Sequence, residues 1–302
     1  MKKAQIRVDK CSPGFWRATF DHPPINLIDP GTIQELEALV SELEADPHVC
    51  VVVFDSADRE FFLAHYDVLV DKAVTAAMSP GRTGLHPWLD VLYRLSAAPA
   101  VSVAAIRGRA RGAGSEFALA CDIRFGSREH CTLGQFEVGV GAVPGGGPMA
   151  RLARLVGRGR ALEIVVGAQD FPGELAAQYG YINRAVADDE LDAFVESFAR
   201  RLSDFDKRAI AEVKRLIDGP TQPGFAELDA GMKAYLASAA RPDTRKRIEI
   251  ALAAGLQQRG GVEFGLGHYV GAAQQTTHSA ARSTPTAERS ELFRSVEPYG
   301  DG

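Results

Sequence analysis

The chain has 302 residues, 46% apolar and 24% charged, with a formal net charge of −5 and a pI near 5.8. This balance fits a globular protein of one large or two ordinary domains and argues against a nucleic-acid binder. The longest apolar stretch, about Ala97 to Ile106, is too short to span a bilayer, and Met1–Gln5 lacks the apolar run of a secretion signal. No membrane partner is therefore expected, and the expected location is cytoplasmic.

Residues 4–9 and 15–20 read as strands joined at Ser12-Pro13-Gly14. Asp29-Pro30 opens a helix, with Asp as N-cap and Pro at the first helical position, and Ile33, Leu36, Leu39, Val40 and Leu43 repeat at helical spacing. Val49–Phe54 reads as a buried strand, followed by helices near 67–78 and 86–96. Pro99–Ile106 is a second buried strand, 113–121 a short helix and 122–125 a strand. This alternation predicts an α/β protein with a largely parallel sheet. From residue 148 the chain reads as helices near 148–156, 158–167, 172–179, 189–203, 205–218, 224–240 and 243–256, with one strand at 181–186. The expected organisation is a core over 1–200, a helical region over 201–269 and a polar, mobile tail over 270–302.

Two glutamates stand out because each lies beside glycine-rich turns. Glu116 ends Arg111-Gly112-Ala113-Gly114-Ser115-Glu116. Glu137 ends Leu133-Gly134-Gln135-Phe136-Glu137, ahead of Gly139, Gly141 and Pro144-Gly145-Gly146-Gly147. Glycine lets backbone approach a ligand closely, and two carboxylates facing one pocket supply a general acid and a general base. Glu116 could instead complement its helix dipole, and Glu137 could be a surface charge. The arginines at 107, 109, 111 and at 151, 154, 158, 160 read as solvated faces or, alternatively, as an anion site.

Other chemistries lack their residues. Position 117 is Phe, so the glycine turn fails both the dinucleotide fingerprint and the nucleophile elbow. The four cysteines show no CxxC spacing and read as reduced thiols, and the seven histidines show no metal spacing, so no metal is expected. What remains is a buried strand running through a glycine-arginine turn into a helix whose first amides have no internal partners. A second donor would come from Phe61-Phe62-Leu63-Ala64-His65-Tyr66-Asp67, after the neighbouring strand.

These segments, with Ala120-Cys121-Asp122-Ile123, Arg151-Leu152, Val156-Gly157 and Ala176–Ile182, resemble the crotonase family, the enoyl-CoA hydratase/isomerase superfamily, over roughly residues 4–255. The resemblance implies a spiral of ββα units with a C-terminal helical trimerisation region, and hence a homotrimer or homohexamer. It implies an acyl-CoA substrate and no separate cofactor, since the coenzyme A belongs to the substrate. It places the oxyanion-holding amides on Tyr66 and Ala113 and the catalytic carboxylates on Glu116 and Glu137. Substrate contacts fall on Ala64, His65, Asp67, Gly112, Gly114, Phe136 and Gly141.

The implied reaction is hydration of a 2-enoyl-CoA. Double-bond isomerisation, C–C cleavage, thioester hydrolysis and non-catalytic acyl-CoA binding stand as alternatives. The chain departs from the family pattern in three places: His65 in place of glycine, Phe136 in place of proline, and Pro148-Met149 in place of Thr-Gln. His65 reads equally as a packing residue or as an imidazole beside the thioester. Phe136 is expected to bear on the aim of Glu137.

Overall fold

Ile6–Ser12 (β1) and Phe15–Phe20 (β2) form the antiparallel hairpin expected of the Ser12-Pro13-Gly14 turn. The computed structural model describes residues 3–71, 73–74 and 78–272. Beyond the hairpin the large sheet is parallel. Val51–Ser56 (β3), Val101–Ile106 (β5), Ile123–Ser127 (β7) and Arg184–Val186 (β10) complete the order β1-β2-β3-β5-β7-β10.

Parallel neighbours need crossovers, and here the crossovers carry a second set of short strands. Phe61–Leu63 (β4), Arg109–Arg111 (β6), Thr132–Gly134 (β8) and Asp170–Pro172 (β9) make a four-stranded sheet in that order. The chain thus repeats a strand in each sheet and then a helix, the ββα unit. Three-residue strands are too short to show a period of two, which is why the sequence reading passed over them.

The helices follow the apolar spacing. In Pro30–Ala45 (α1), Asp29 accepts a hydrogen bond from the Thr32 amide, and Ile33, Leu36, Leu39, Val40 and Leu43 are all buried. Each such aliphatic side chain gains roughly 1.5–3 kcal/mol by burial, before the entropy of ordering is subtracted. Pro87–Ala97 (α2) and Ala113–Ala120 (α3) follow. Pro148–Gly167 (α4) is interrupted at Gly157, whose φ of 79° and ψ of 162° separate the two helices expected there. Gly173–Tyr179 (α5), Leu191–Ser203 (α6), Lys207–Thr221 (α7), Phe225–Ala239 (α8) and Pro242–Ala253 (α9) complete the expected series.

Two features correct the reading of the C-terminus. Gly261–Phe264 (α10) and residues 266–272 are helical, and Leu266 and Val270 are buried. The polar tail therefore does not begin at 270, and its remainder, from 273, lies outside the described residues, as do parts of the helix expected near 67–78. Leu228 and Met232 of α8 belong to the same core cluster as α1 and α3, so α8 shares the main core, while Ala251, Leu256, Leu266 and Val270 pack in a separate cluster with Phe136. Lys214 of α7 reaches the Ala100 carbonyl and the Asp122 carboxylate, at 2.9 and 2.7 Å, fastening α7 to the sheet. No helix among the described residues is long and apolar enough to cross a membrane.

Candidate active site

Glu116 lies in the first turn of α3, a helix buried along its whole length, and is itself only 3% exposed. Its Oε2 accepts from Trp88 Nε1 at 2.9 Å and its Oε1 from the Gly146 amide at 2.7 Å. Burial raises its pKa above the ordinary carboxylate range, opposed by these donors, which favour the charged form. Glu137 opens a 3-10 turn, Glu137–Val140, and is buried rather than on the surface. Its Oε2 has no hydrogen-bond partner among the described residues. Burial and then the nearby charge of Glu116 push its pKa up to about 8. The two carboxylates thus face a shared interior region in unlike settings: Glu116 is held through both oxygens, while Glu137 has one oxygen without a partner and its own backbone amide as a donor.

The glycine turn and the loop after β4 meet beside them. The Arg111 amide donates to Ala64 O at 3.0 Å, and the Gly112 amide to Gly134 O at 2.9 Å. Gly112 turns the chain with a φ of 49°, and a β-carbon there would lie 2.5 Å from Glu137 Oε1. A β-carbon on Gly114 would lie 1.9 Å from the Leu63 carbonyl oxygen, so α3 is pressed directly onto the backbone leading to Tyr66. The loop is fixed from its other side: Ile28 N donates to His65 O, and Asp67 N to Ile28 O, each at 2.9 Å. In that parallel bridge the Tyr66 amide points away from Ile28, to the side of Arg111 and the glycine turn. Ala113 begins α3, where an amide has no intrahelical acceptor and the helix dipole favours negative charge. Ala64, Tyr66, Gly112, Ala113, Gly114 and Glu137 are thus brought together. Gly141 caps the turn that Glu137 opens, with a φ of 85°, and its carbonyl accepts from Thr244 Oγ1 of α9 at 3.0 Å.

The side chain of His65 is turned into the protein. It is 1% exposed, with Nδ1 2.9 Å from Tyr66 O and Nε2 2.9 Å from Glu263 Oε1. Both ring nitrogens are occupied, so the imidazole offers neither to a thioester. Its ring stands edge-on to Phe136, with centroids 5.3 Å apart. Phe136 packs with Val140, Leu256, Leu266 and Val270, and its ring borders Gly112. Asp67 accepts from Gln257 Nε2 at 2.7 Å, and the Gln257 amide donates to Glu263 at 2.6 Å. The C-terminal segment therefore clasps both site loops, and the departures at 65 and 136 form one contact beneath it.

Sequence reasoning missed Trp88, Gln257, Glu263 and the use of the glycine run. A β-carbon on Gly145 would lie 3.0 Å from the Tyr235 side chain, one on Gly146 2.1 Å from Glu116 Oε2, and one on Gly147 2.4 Å from Leu228. The run admits α8 on one side and hands an amide to Glu116 on the other. The arginines at 107, 109 and 111 are paired with Asp188, Glu60 and Asp170 and form no anion site. A depression of about 510 Å³ lined by Arg17, Asp55, Arg107 and Glu196 is likewise knitted by ion pairs. Among the described residues no three His, Cys, Asp or Glu side chains cluster as metal ligands would.

Comparison with known proteins bears on the chemistry. The family model described as "Enoyl-CoA hydratase/isomerase" matches residues 12–243. The short-chain-enoyl-CoA hydratase of Clostridium acetobutylicum is 32% identical over 178 residues, covering 59% of this chain and 67% of that one. The "Probable enoyl-CoA hydratase echA17" of Mycobacterium avium is 32% identical over 215 residues, 71% of this chain and 82% of that one. A crystal structure of a candidate enoyl-CoA hydratase from Streptomyces avermitilis superposes with a TM-score of 0.85 at 43% identity, covering 88% of this chain and 96% of that one.

Proposed function

The chain belongs to the enoyl-CoA hydratase/isomerase family, the crotonase superfamily, and from that premise we propose that it adds water to a 2-enoyl-CoA thioester, giving a 3-hydroxyacyl-CoA. The supporting observation is the pair of buried carboxylates in unlike hydrogen-bond settings. Environments that push two acids apart separate the roles of base and acid. Trp88 and the Gly146 amide favour charge on Glu116, which leaves the shared proton on Glu137.

Glu116 orients a water and takes its proton as the oxygen bonds to C3. The C2–C3 π electrons move toward the thioester, and the negative charge on its oxygen is held by the Tyr66 and Ala113 amides. Glu137 then delivers its proton to C2. The proton left on Glu116 restores the pair to one shared proton, so the sum is substrate plus water. Coenzyme A is part of the substrate in this scheme, and no further cofactor enters it.

The test is loss of the conjugated enoyl-thioester absorbance across a series of chain lengths, with product mass read in parallel. The expected product has gained one water and kept its CoA. Turnover of no chain length would overturn the reading. An unchanged mass would assign isomerisation, and release of free CoA hydrolysis.

The reading extends to assembly. Val213, Leu216 and Ile217 of α7 are exposed apolar residues at helical spacing, as are Leu162 and Val166 in the second part of α4. Contiguous apolar faces of this kind mark association surfaces. Light scattering is expected to give three or six times the chain mass of 32.4 kDa, and a monomer would sink the trimer reading.

A further inference from the structure

We infer that Tyr235 sets acyl-chain specificity, its phenol hydrogen-bonding an oxygen carried by the chain beyond C3, so that the preferred substrates are oxygenated 2-enoyl thioesters. The inference rests on the hydratase reading for the placement of the acyl chain along Glu116 and Glu137.

Tyr235 comes from α8, remote in sequence from both glutamates, and is brought to them by a defined clamp. Ser238, one turn on and fully buried, accepts from the Val143 amide and donates to the Tyr235 carbonyl, each at 2.9 Å. Leu228 and Met232 anchor the same helix in the main core, against which Tyr235 and Tyr66 both pack while remaining half-buried. Gly145 lies against the base of the Tyr235 ring, and the next residue, Gly146, holds Glu116. The base of the ring therefore packs against the glycine run that holds Glu116.

Its ionisation reports the same neighbourhood. Burial pushes the pKa up to about 12, helped by Tyr66, Glu116 and Glu137, so the hydroxyl stays protonated at working pH and acts as a neutral donor or acceptor. No residue among those described hydrogen-bonds that hydroxyl. Tyrosine combines an apolar body with a polar tip, and this half-buried tip gains a partner when a ligand brings the complementary oxygen. A phenylalanine would serve equally as a wall for a plain alkyl chain.

The probes are two pairs of saturated thioesters: butanoyl-CoA with 4-hydroxybutanoyl-CoA, and hexanoyl-CoA with 6-hydroxyhexanoyl-CoA. Dissociation constants are measured by calorimetry for the native protein and Tyr235→Phe, with melting curves confirming the fold. The native protein is expected to bind the hydroxylated member of at least one pair roughly tenfold more tightly, about one hydrogen bond's difference. Tyr235→Phe should erase that preference and leave the plain thioesters within about twofold. No preference in the native protein, or a preference that survives Tyr235→Phe, overturns the inference. Because binding is read without turnover, a chain that prefers the hydroxylated thioesters but hydrates no enoyl-CoA would overturn the hydratase reading instead.

Discussion

Glu137→Gln is expected to lower kcat for hydration by about 10²–10⁴-fold, the range for loss of a positioned acid, while KM changes only a few-fold. The amide matches the carboxyl in shape but has no proton to deliver to C2. The native enzyme should lose kcat/KM as pH rises past about 8, where Glu137 deprotonates. The same group makes a stability prediction with a definite sign. Its pKa is about 8 when folded against an ordinary 4.5, so between these values the folded state holds more protons than the unfolded one. The contribution favouring the folded state is complete below pH 4.5 and is lost as pH rises through 8. Glu137→Gln removes this dependence. At pH 8 the variant should be more stable than the native chain by on the order of 2–4 kcal/mol, and at pH 5 nearly equal to it. Denaturant titrations at both pH values, beside initial rates, check the two halves together. A variant that keeps more than about a tenth of native kcat removes Glu137 from the acid role. A stability gain independent of pH would place the effect in packing instead of charge.

What could be read in the sequence was what neighbours in sequence decide. Asp29, Pro30 and the five apolar positions of α1 specify that helix locally, and the structure buries the same five. The turn around Gly112 and the position of Glu116 at the start of α3 were legible for the same reason, since strand, turn and helix are contiguous. His65 was not, because its partner Glu263 lies 198 residues away and nothing local announces the pair. Viewed separately, His65 and Phe136 looked like two independent departures. In space they touch each other and the same C-terminal segment. The glycines at 145–147 were noticed for the right property, close approach, but much of what approaches is protein: Tyr235, Glu116 and Leu228. No element was expected between the helix near 243–256 and the tail set at 270, because glycines at 260, 261, 265 and 267 interrupt the apolar spacing there. Leu256, Leu266 and Val270 nevertheless find buried places beside Phe136.

Gly114→Ala is expected to disable the site from the opposite side to Glu137, through geometry alone. The added methyl would lie 1.9 Å from Leu63 O, 2.8 Å from its carbonyl carbon and 3.0 Å from its β-carbon. The first two are backbone, and that backbone is held by the pairing of Phe61 with Arg109 and Leu63 with Ala110. Relief therefore requires α3 and the 63–66 loop to separate by an ångström or so, a scale on which misplaced groups lose much of their effect. Separation would draw the Ala113 amide away from that of Tyr66, and losing one such donor lowers kcat by about 10²–10³-fold. Overpacking should also lower stability by roughly 1–3 kcal/mol. Gly159→Ala is the matched control. That glycine lies exposed in α4, with no atom within 4 Å of a β-carbon, so alanine there should raise stability by about 0.4–1 kcal/mol. Parallel melting curves and steady-state rates for the two variants decide the matter. If Gly114→Ala folds and retains native kcat, the oxyanion is not held between the β4 loop and the first turn of α3, and the charge formed in hydration must be stabilised elsewhere.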